Sequence, residues 1–150
     1  MTSPASDPIV SRAAAVAVSG RERAALDEAQ VLSLATVRPD GRPHVVPLWF
    51  HWDGETIPVL SKPRAVKVQN LHADQAAMVA VGEPGFGAVL LDVDSEVCGD
   101  ASAREASAFV RKYHDILGRL GLSVDDFLET YPVLIRLRPT RWLSWGQPGQ

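Results

Sequence analysis

The sequence has one cysteine, no long apolar run and no excess of basic residues, and each absence excludes a class of protein. The single cysteine, Cys98, excludes an intramolecular disulfide and a metal site built from clustered cysteines. No segment resembles a signal peptide or a transmembrane helix, so we predict a cytoplasmic protein without membrane contact. A net charge of -3 argues against nucleic-acid binding, which requires a broad basic surface.

Length and composition favour one domain with a substantial core. The chain has 150 residues, of which 46% are hydrophobic. Residues 1–10 carry two prolines among small polar residues and are predicted to form a flexible N-terminal arm. Residues 11–150 are predicted to form the single domain, beginning with one or two short alanine-rich helices before residue 30.

The central stretch, residues 31–71, contains three strand-like segments joined by two tight turns. Residues 39–41 read Pro-Asp-Gly and residues 52–54 read Trp-Asp-Gly, and both favour antiparallel hairpins. The middle strand, residues 44–50, contains Pro47, which cannot donate a ladder hydrogen bond. We therefore predict that this strand is an edge strand, is interrupted or carries a bulge.

The rest of the chain adds further strands and two amphipathic helices. In residues 88–97, apolar residues alternate with acids, which we interpret as a solvated face rather than a metal site. Cys98 is predicted to be a buried strand residue. Further strands are predicted at 56–60, 76–81, 88–97, 133–137 and 141–145, and helices at 101–118 and 123–130. Six to seven antiparallel strands with three peripheral helices predict a mainly β fold of the α+β class, arranged as a Greek-key barrel.

A basic segment follows the third strand. Ser61 and Pro63 predict a helix start, with Ser61 as the cap, and Arg64, Lys67 and Asn70 recur at three-residue intervals. No acidic residue occurs between Thr56 and Ala73. The segment therefore suits a phosphate group, although the same spacing also fits ordinary solvated charges on an amphipathic helix.

Two stretches carry a family resemblance. VLSLATVRPDGRPHVVPLWF and SKPRAVKVQNL resemble the pyridoxamine 5'-phosphate oxidase-like split-barrel superfamily, and within it the flavin/deazaflavin oxidoreductases. The resemblance implies an antiparallel split β-barrel whose cofactor phosphate binds Lys67 with Ser61 and Lys62. Gln69 stands where the family often has arginine, so Arg64 is the candidate replacement.

The resemblance also implies where the cofactor ring binds. The ring is expected against the strand formed by His44, Val45, Val46 and Pro47. Trp142 and Trp145 are predicted to be core or dimer-interface residues, with ring contact as the alternative. The catalytic residue is unknown, with His44 the candidate proton donor.

The expected activity is hydride transfer from reduced coenzyme F420 to a small organic substrate. One alternative is an FMN-binding oxidase or reductase of the same superfamily. Another is a non-catalytic flavin- or haem-binding protein, which in the haem case needs an axial ligand. We also predict a homodimer with cofactor sites at the subunit interface, because a barrel of this size exposes apolar strand faces.

Overall fold

The computed structural model describes residues 20–82 and 88–144. Within them, six strands form one antiparallel sheet and four helices pack around it. The predicted arm, residues 1–10, lies outside the described residues. The elements are α1 (Gly20–Glu28), β1 (Leu32–Val37), β2 (Pro43–Leu48), β3 (Ile57–Ser61), α2 (Val66–Ala73), β4 (Ala76–Val81), β5 (Val89–Asp100), α3 (Ala103–Arg119), α4 (Val124–Thr130) and β6 (Val133–Ser144).

The sheet runs in the order β2-β1-β4-β5-β6-β3, and all neighbouring strands are antiparallel. The sheet curls into a half-barrel, which confirms the predicted α+β split-barrel class. Residues that alternate along the strands separate into an inner, buried face and an outer face. None of the described helices is long and apolar enough to span a membrane.

The edge strand β2 confirms the prediction made from Pro47. Strand β2 pairs only with β1, and the register is unbroken from Leu48 to Pro43. In the connecting turn the amide of Arg38 donates to the carbonyl of Arg42 at 2.8 Å, and the amide of Gly41 donates to the carbonyl of Arg38 at 2.8 Å. Gly41 has a φ of +86°. This φ lies in the left-handed region, which explains glycine at that position.

The last two predicted strands, 133–137 and 141–145, form one strand instead. Strand β6 is continuous across Pro139, which lies where the register with β5 shifts between Asp92 and Val93. A bulge of this kind lets a proline occupy an inner strand. A second shift, between Val97 and Gly99, leaves Cys98 exposed, so the prediction of a buried cysteine was wrong.

The core has two parts. The larger fills the inner face of the sheet, and the smaller lies between the outer surface of β3 and β6 and the helices α3 and α4. Helix α3 begins with a capping box between Ser102 and Glu105, and α4 is capped by Ser123. The smaller core contains Leu60, Phe109, Tyr113, Leu117, Phe127 and Leu134.

Candidate functional site

Lys67 is a largely buried lysine that has no partner in the part of the chain that the structure describes. It lies on α2 with 9% of its surface exposed, and among the described residues it forms neither an ion pair nor a hydrogen bond. Burial lowers the pKa of Lys67, and the charge of Lys62 lowers it further. A buried ammonium group is costly unless an anion pairs with it. The geometry at Lys67 therefore fits an anionic group of a ligand.

The predicted helix start at Ser61 was wrong. Helix α2 begins at Val66, its N-cap is Ala65, and no side chain caps it. Ser61 instead ends β3 opposite Val133, and its hydroxyl donates to the carbonyl of Lys62 at 3.0 Å. Pairing with β6 holds Ser61 in the sheet, and a turn separates it from the helix.

The burial of individual side chains distinguishes the phosphate-site interpretation of the basic segment from the interpretation as solvated charges. Lys62 and Arg64 are exposed, as solvated charges would be, whereas Lys67 and Asn70 face the core. Gln69, which stands at the family's arginine position, donates to the carbonyl of Arg64 at 3.3 Å. The solvated-face interpretation therefore fits the flanking charges but not Lys67.

Asn70 connects α2 to strand β1. Its Nδ2 donates to Oγ1 of Thr36 at 3.0 Å, and both residues are 2% exposed. Thr36 lies opposite His44 in the β1–β2 ladder. The buried Nδ1 of His44 has no hydrogen-bond partner among the residues that the structure describes, which leaves it available to a ligand or a water molecule. The structure thus brings Asn70 and His44 together around Thr36, which the sequence did not indicate.

The four residues predicted to contact the ring lie on two faces. His44 and Val46 are half-buried, whereas Pro47 and Val45 are exposed, Val45 to 63%. Alternation along a strand imposes this division. A ring bound on one face of β2 can therefore contact only two of these side chains from a single subunit.

Trp142 lies against the core. It is opposite Leu91 on the inner face, and its indole meets Trp52 edge-to-face with 6.5 Å between ring centroids. The buried Nε1 atoms of both indoles lack hydrogen-bond partners. This position fits the core interpretation, and ring contact by Trp142 stays a prediction. Trp145 lies outside the described residues.

Two clefts were not predicted. The larger, about 630 Å³, contains Arg136, which is paired with Asp53 at 3.2 Å and with Glu105. Its central charges are therefore already paired within the protein. The smaller, about 300 Å³, is the aromatic cleft. It is lined by Pro47, Leu48, Trp49, Leu60, Phe109, Leu120, Leu122, Phe127 and Tyr131.

The arrangement favours ligand binding over chemistry by side chains alone. Within the described part of the chain no three His, Cys, Asp or Glu residues converge as metal ligands. The ammonium group of a largely buried lysine, a buried amide and, among the described residues, an unpaired imidazole nitrogen instead provide sites for a phosphorylated ligand with polar ring atoms.

The curled antiparallel sheet is that of a split-barrel protein. A profile of the family described as pyridoxamine 5'-phosphate oxidase matches residues 19–146, and the chain belongs to that family. Comparison with curated proteins finds no match.

Solved structures agree with this membership. An F420 reductase is 26% identical, with 85% of this chain and 98% of that chain covered and a TM-score of 0.63. The conserved hypothetical protein Rv2991 from Mycobacterium tuberculosis is 23% identical, covering 91% and 93%, with a TM-score of 0.70. HutZ, the haem storage protein from Vibrio cholerae, is 20% identical, covering 81% and 89%, with a TM-score of 0.64. The last two show the fold alone.

Proposed function

We propose that this protein is an oxidoreductase that uses reduced coenzyme F420 to transfer a hydride to a small organic substrate. The observation that carries the proposal is Lys67, a buried lysine without a partner within residues 20–82 and 88–144. Its pairing with a cofactor phosphate would offset the cost of its burial. Family membership and the similarity to an F420 reductase support the choice of a redox cofactor.

The protein's own residues fit such a cofactor. The ammonium group of Lys67 neutralises the phosphate, with Lys62 and the backbone after Ser61 beside it. Asn70 is fixed by Thr36, and its free amide oxygen can accept a hydrogen bond. His44 offers its unpaired Nδ1 at the end of β2. The cofactor, when bound, supplies the hydride, so no catalytic triad is required.

The exposed cations favour the deazaflavin over FMN. A deazaflavin of this type carries an acidic tail beyond its phosphate, and FMN does not. Lys62 and Arg64 are exposed beside Lys67 and have no ion-pair partner among the described residues. The acidic tail would pair with these charges at the mouth of the site.

Cofactor titration tests this choice directly. Protein from a host lacking F420 is expected to be colourless and to bind added F420 more tightly than FMN. Affinity for F420 should fall as salt rises, because exposed charges contribute to binding. Absorption and fluorescence titrations provide the measurement, with Arg64→Gln as a variant that lowers F420 affinity and leaves FMN affinity unchanged.

The alternatives give different results in the same experiment. A yellow protein that retains stoichiometric FMN through dialysis and ignores F420 would replace the proposal with the FMN oxidase or reductase. The haem alternative draws on the fold shared with HutZ and on the unpaired nitrogen of His44. A Soret band that disappears in His44→Ala would establish that alternative.

We also propose a homodimer formed through the outer face of the sheet. Val45, Ala35 and Met78 lie side by side across β2, β1 and β4, and no described helix covers them. Val45 is 63% exposed and Met78 is 38% exposed. Apolar surface of this kind is typical of an interface between copies. Such an interface would place the outward residues of β2 near the partner subunit.

Light scattering checks the dimer. We expect the mass of a dimer at micromolar concentration and the mass of a monomer for the double variant Val45→Glu/Met78→Glu, because four carboxylates would then be buried between two copies. Ala24→Glu adds a charge to the exposed side of α1 and should stay dimeric. A monomeric parent protein that binds its cofactor fully would rule out a shared site.

A further inference from the structure

The aromatic cleft is a preformed site with rigid walls. Trp49 stacks on Tyr113 with 4.6 Å between ring centroids and an interplanar angle of 6°. Phe127 packs against Trp49 at 5.5 Å and against Tyr131 at 5.3 Å. The rings therefore hold one another in place before any ligand arrives. Preorganised aromatic surfaces bind planar molecules at little conformational cost.

The cleft is also open to a ligand. Leu120 and Leu122 line it and are 59% and 46% exposed, although large apolar residues gain by burial. They flank Gly121, whose φ of +68° ends helix α3 and directs the chain toward α4. The volume of about 300 Å³ fits a small molecule rather than a protein segment.

The positive charge of Lys62 beside the cleft favours a ligand with a negative group. The Nζ of Lys62 lies 5.7 Å from the ring centroid of Tyr131, and no acidic side chain lines the cleft. The same lysine is near enough to Lys67 to lower its pKa. Lys62 therefore lies near both Tyr131 of the cleft and Lys67, and it can face a negative group on a ligand beside either residue.

We propose that the aromatic cleft binds a small planar aromatic carboxylate, with its ring among Trp49, Phe127 and Tyr131 and its carboxylate toward Lys62. Its role as the substrate site rests on the proposed function, in which Lys67 binds the cofactor phosphate, because Lys62 lies near both Tyr131 of the cleft and Lys67. Binding of the carboxylate itself does not depend on a cofactor. Recognition combines an apolar pocket with one placed charge.

Binding can be measured with two matched probes on the full chain without cofactor. 2-Naphthoate and the neutral 2-naphthamide share a ring system and differ in charge. Titration followed by tryptophan fluorescence and calorimetry should show naphthoate binding about three- to tenfold more tightly than naphthamide, as expected for one partly exposed ion pair. Lys62→Gln should remove this preference and leave naphthamide affinity unchanged.

A second variant tests whether naphthoate binds in the aromatic cleft. Leu122→Glu places a negative charge at the cleft and is expected to weaken naphthoate at least tenfold and naphthamide less. Ala24→Glu adds the same charge on α1 and should change neither affinity. Thermal unfolding checks that each variant is folded, and Leu122→Gln is the substitute if Leu122→Glu does not fold.

The outcomes separate this proposal from the proposed function. Absence of naphthoate binding at millimolar concentration, equal affinity for the two probes, or binding that ignores both Leu122 substitutions would overturn the cleft assignment. Naphthoate binding with the expected Lys62 dependence in a protein that ignores F420 would uphold the binding site and refute the redox function. Reduction of naphthoate by reduced F420 that is unaffected by Leu122→Glu would place the substrate site outside the cleft.

Discussion

Tyr113→Phe is expected to lower the free energy of unfolding by about 2–4 kcal/mol, the largest effect that we predict for a single hydroxyl group. Tyr113 has no exposed surface, and its hydroxyl lies 2.7 Å from the carbonyl oxygen of Gln30 and 2.8 Å from that of Phe50. It also accepts from the amide of Phe50 at 2.9 Å. Its loss would leave the buried amide of Phe50 without this acceptor, whereas the carbonyl of Phe50 also accepts from Nζ of Lys112.

Alkaline pH provides a second measurement on the same variant. Burial raises the pKa of Tyr113 to about 12, although a hydrogen bond to Phe50 opposes the shift. Because this pKa exceeds the ordinary value of about 10, the tyrosine contributes stability below pH 10 that is lost as pH rises toward 12. Tyr113→Phe should not show this loss of stability at alkaline pH.

Tyr131→Phe is the matched control for Tyr113. Tyr131 is half-buried beside Phe127, and its hydroxyl has no hydrogen-bond partner among the described residues. Its removal should change the free energy of unfolding by less than about 0.5 kcal/mol in urea denaturation. Equal effects of the two substitutions would show that the contacts of the Tyr113 hydroxyl add no stability beyond that of the ring.

Lys67→Ala is expected to weaken cofactor binding about ten- to a hundredfold, as a lost hydrogen bond to a charged group of about 1.5–3 kcal/mol predicts. The substitution removes no internal ion pair, because Lys67 has none among the described residues. The free energy of unfolding should therefore not fall for that reason. Lys62→Ala is expected to have a smaller effect on cofactor affinity, because Lys62 is exposed and solvent screens its charge.

The pH dependence of binding distinguishes a phosphate contact from a packing effect. Burial and the charge of Lys62 lower the pKa of Lys67 below its ordinary value. Because the charged form pairs with phosphate, affinity in the parent should fall as pH rises through that lowered pKa. Lys67→Ala should lack this fall. Unchanged affinity in Lys67→Ala would contradict the phosphate role and leave α2 as an amphipathic helix.

Local chemistry accounts for the elements that the sequence predicted well. The Pro-Asp-Gly turn, the capping residues Ser102 and Ser123, and the alternation in β5 each depend on residues a few positions apart. The start of α2 depended instead on a distant strand. Ser61 has the chemistry of a helix cap, but its pairing with Val133 keeps it in the sheet.

In the candidate site, too, some features follow from local sequence and others depend on long-range packing. The sequence indicated Lys67 as an anion ligand, but its burial required the packing of α2 against β1 and β5. The hydrogen bond between Asn70 and Thr36 spans 34 positions, and nothing local in either segment indicates it. A buried threonine in an otherwise apolar strand face is the signal that could have pointed to a polar partner.

Prolines in the two outermost strands have a consequence for the behaviour of the protein at high concentration. Strand β2 contains Pro43 and Pro47, four positions apart, and β3, at the opposite end of the sheet order, contains Pro58. A growing cross-β fibril needs an uninterrupted row of free amides at an edge, and proline removes them. Lateral polymerisation through either outermost strand is therefore disfavoured, even while the protein is only partly folded.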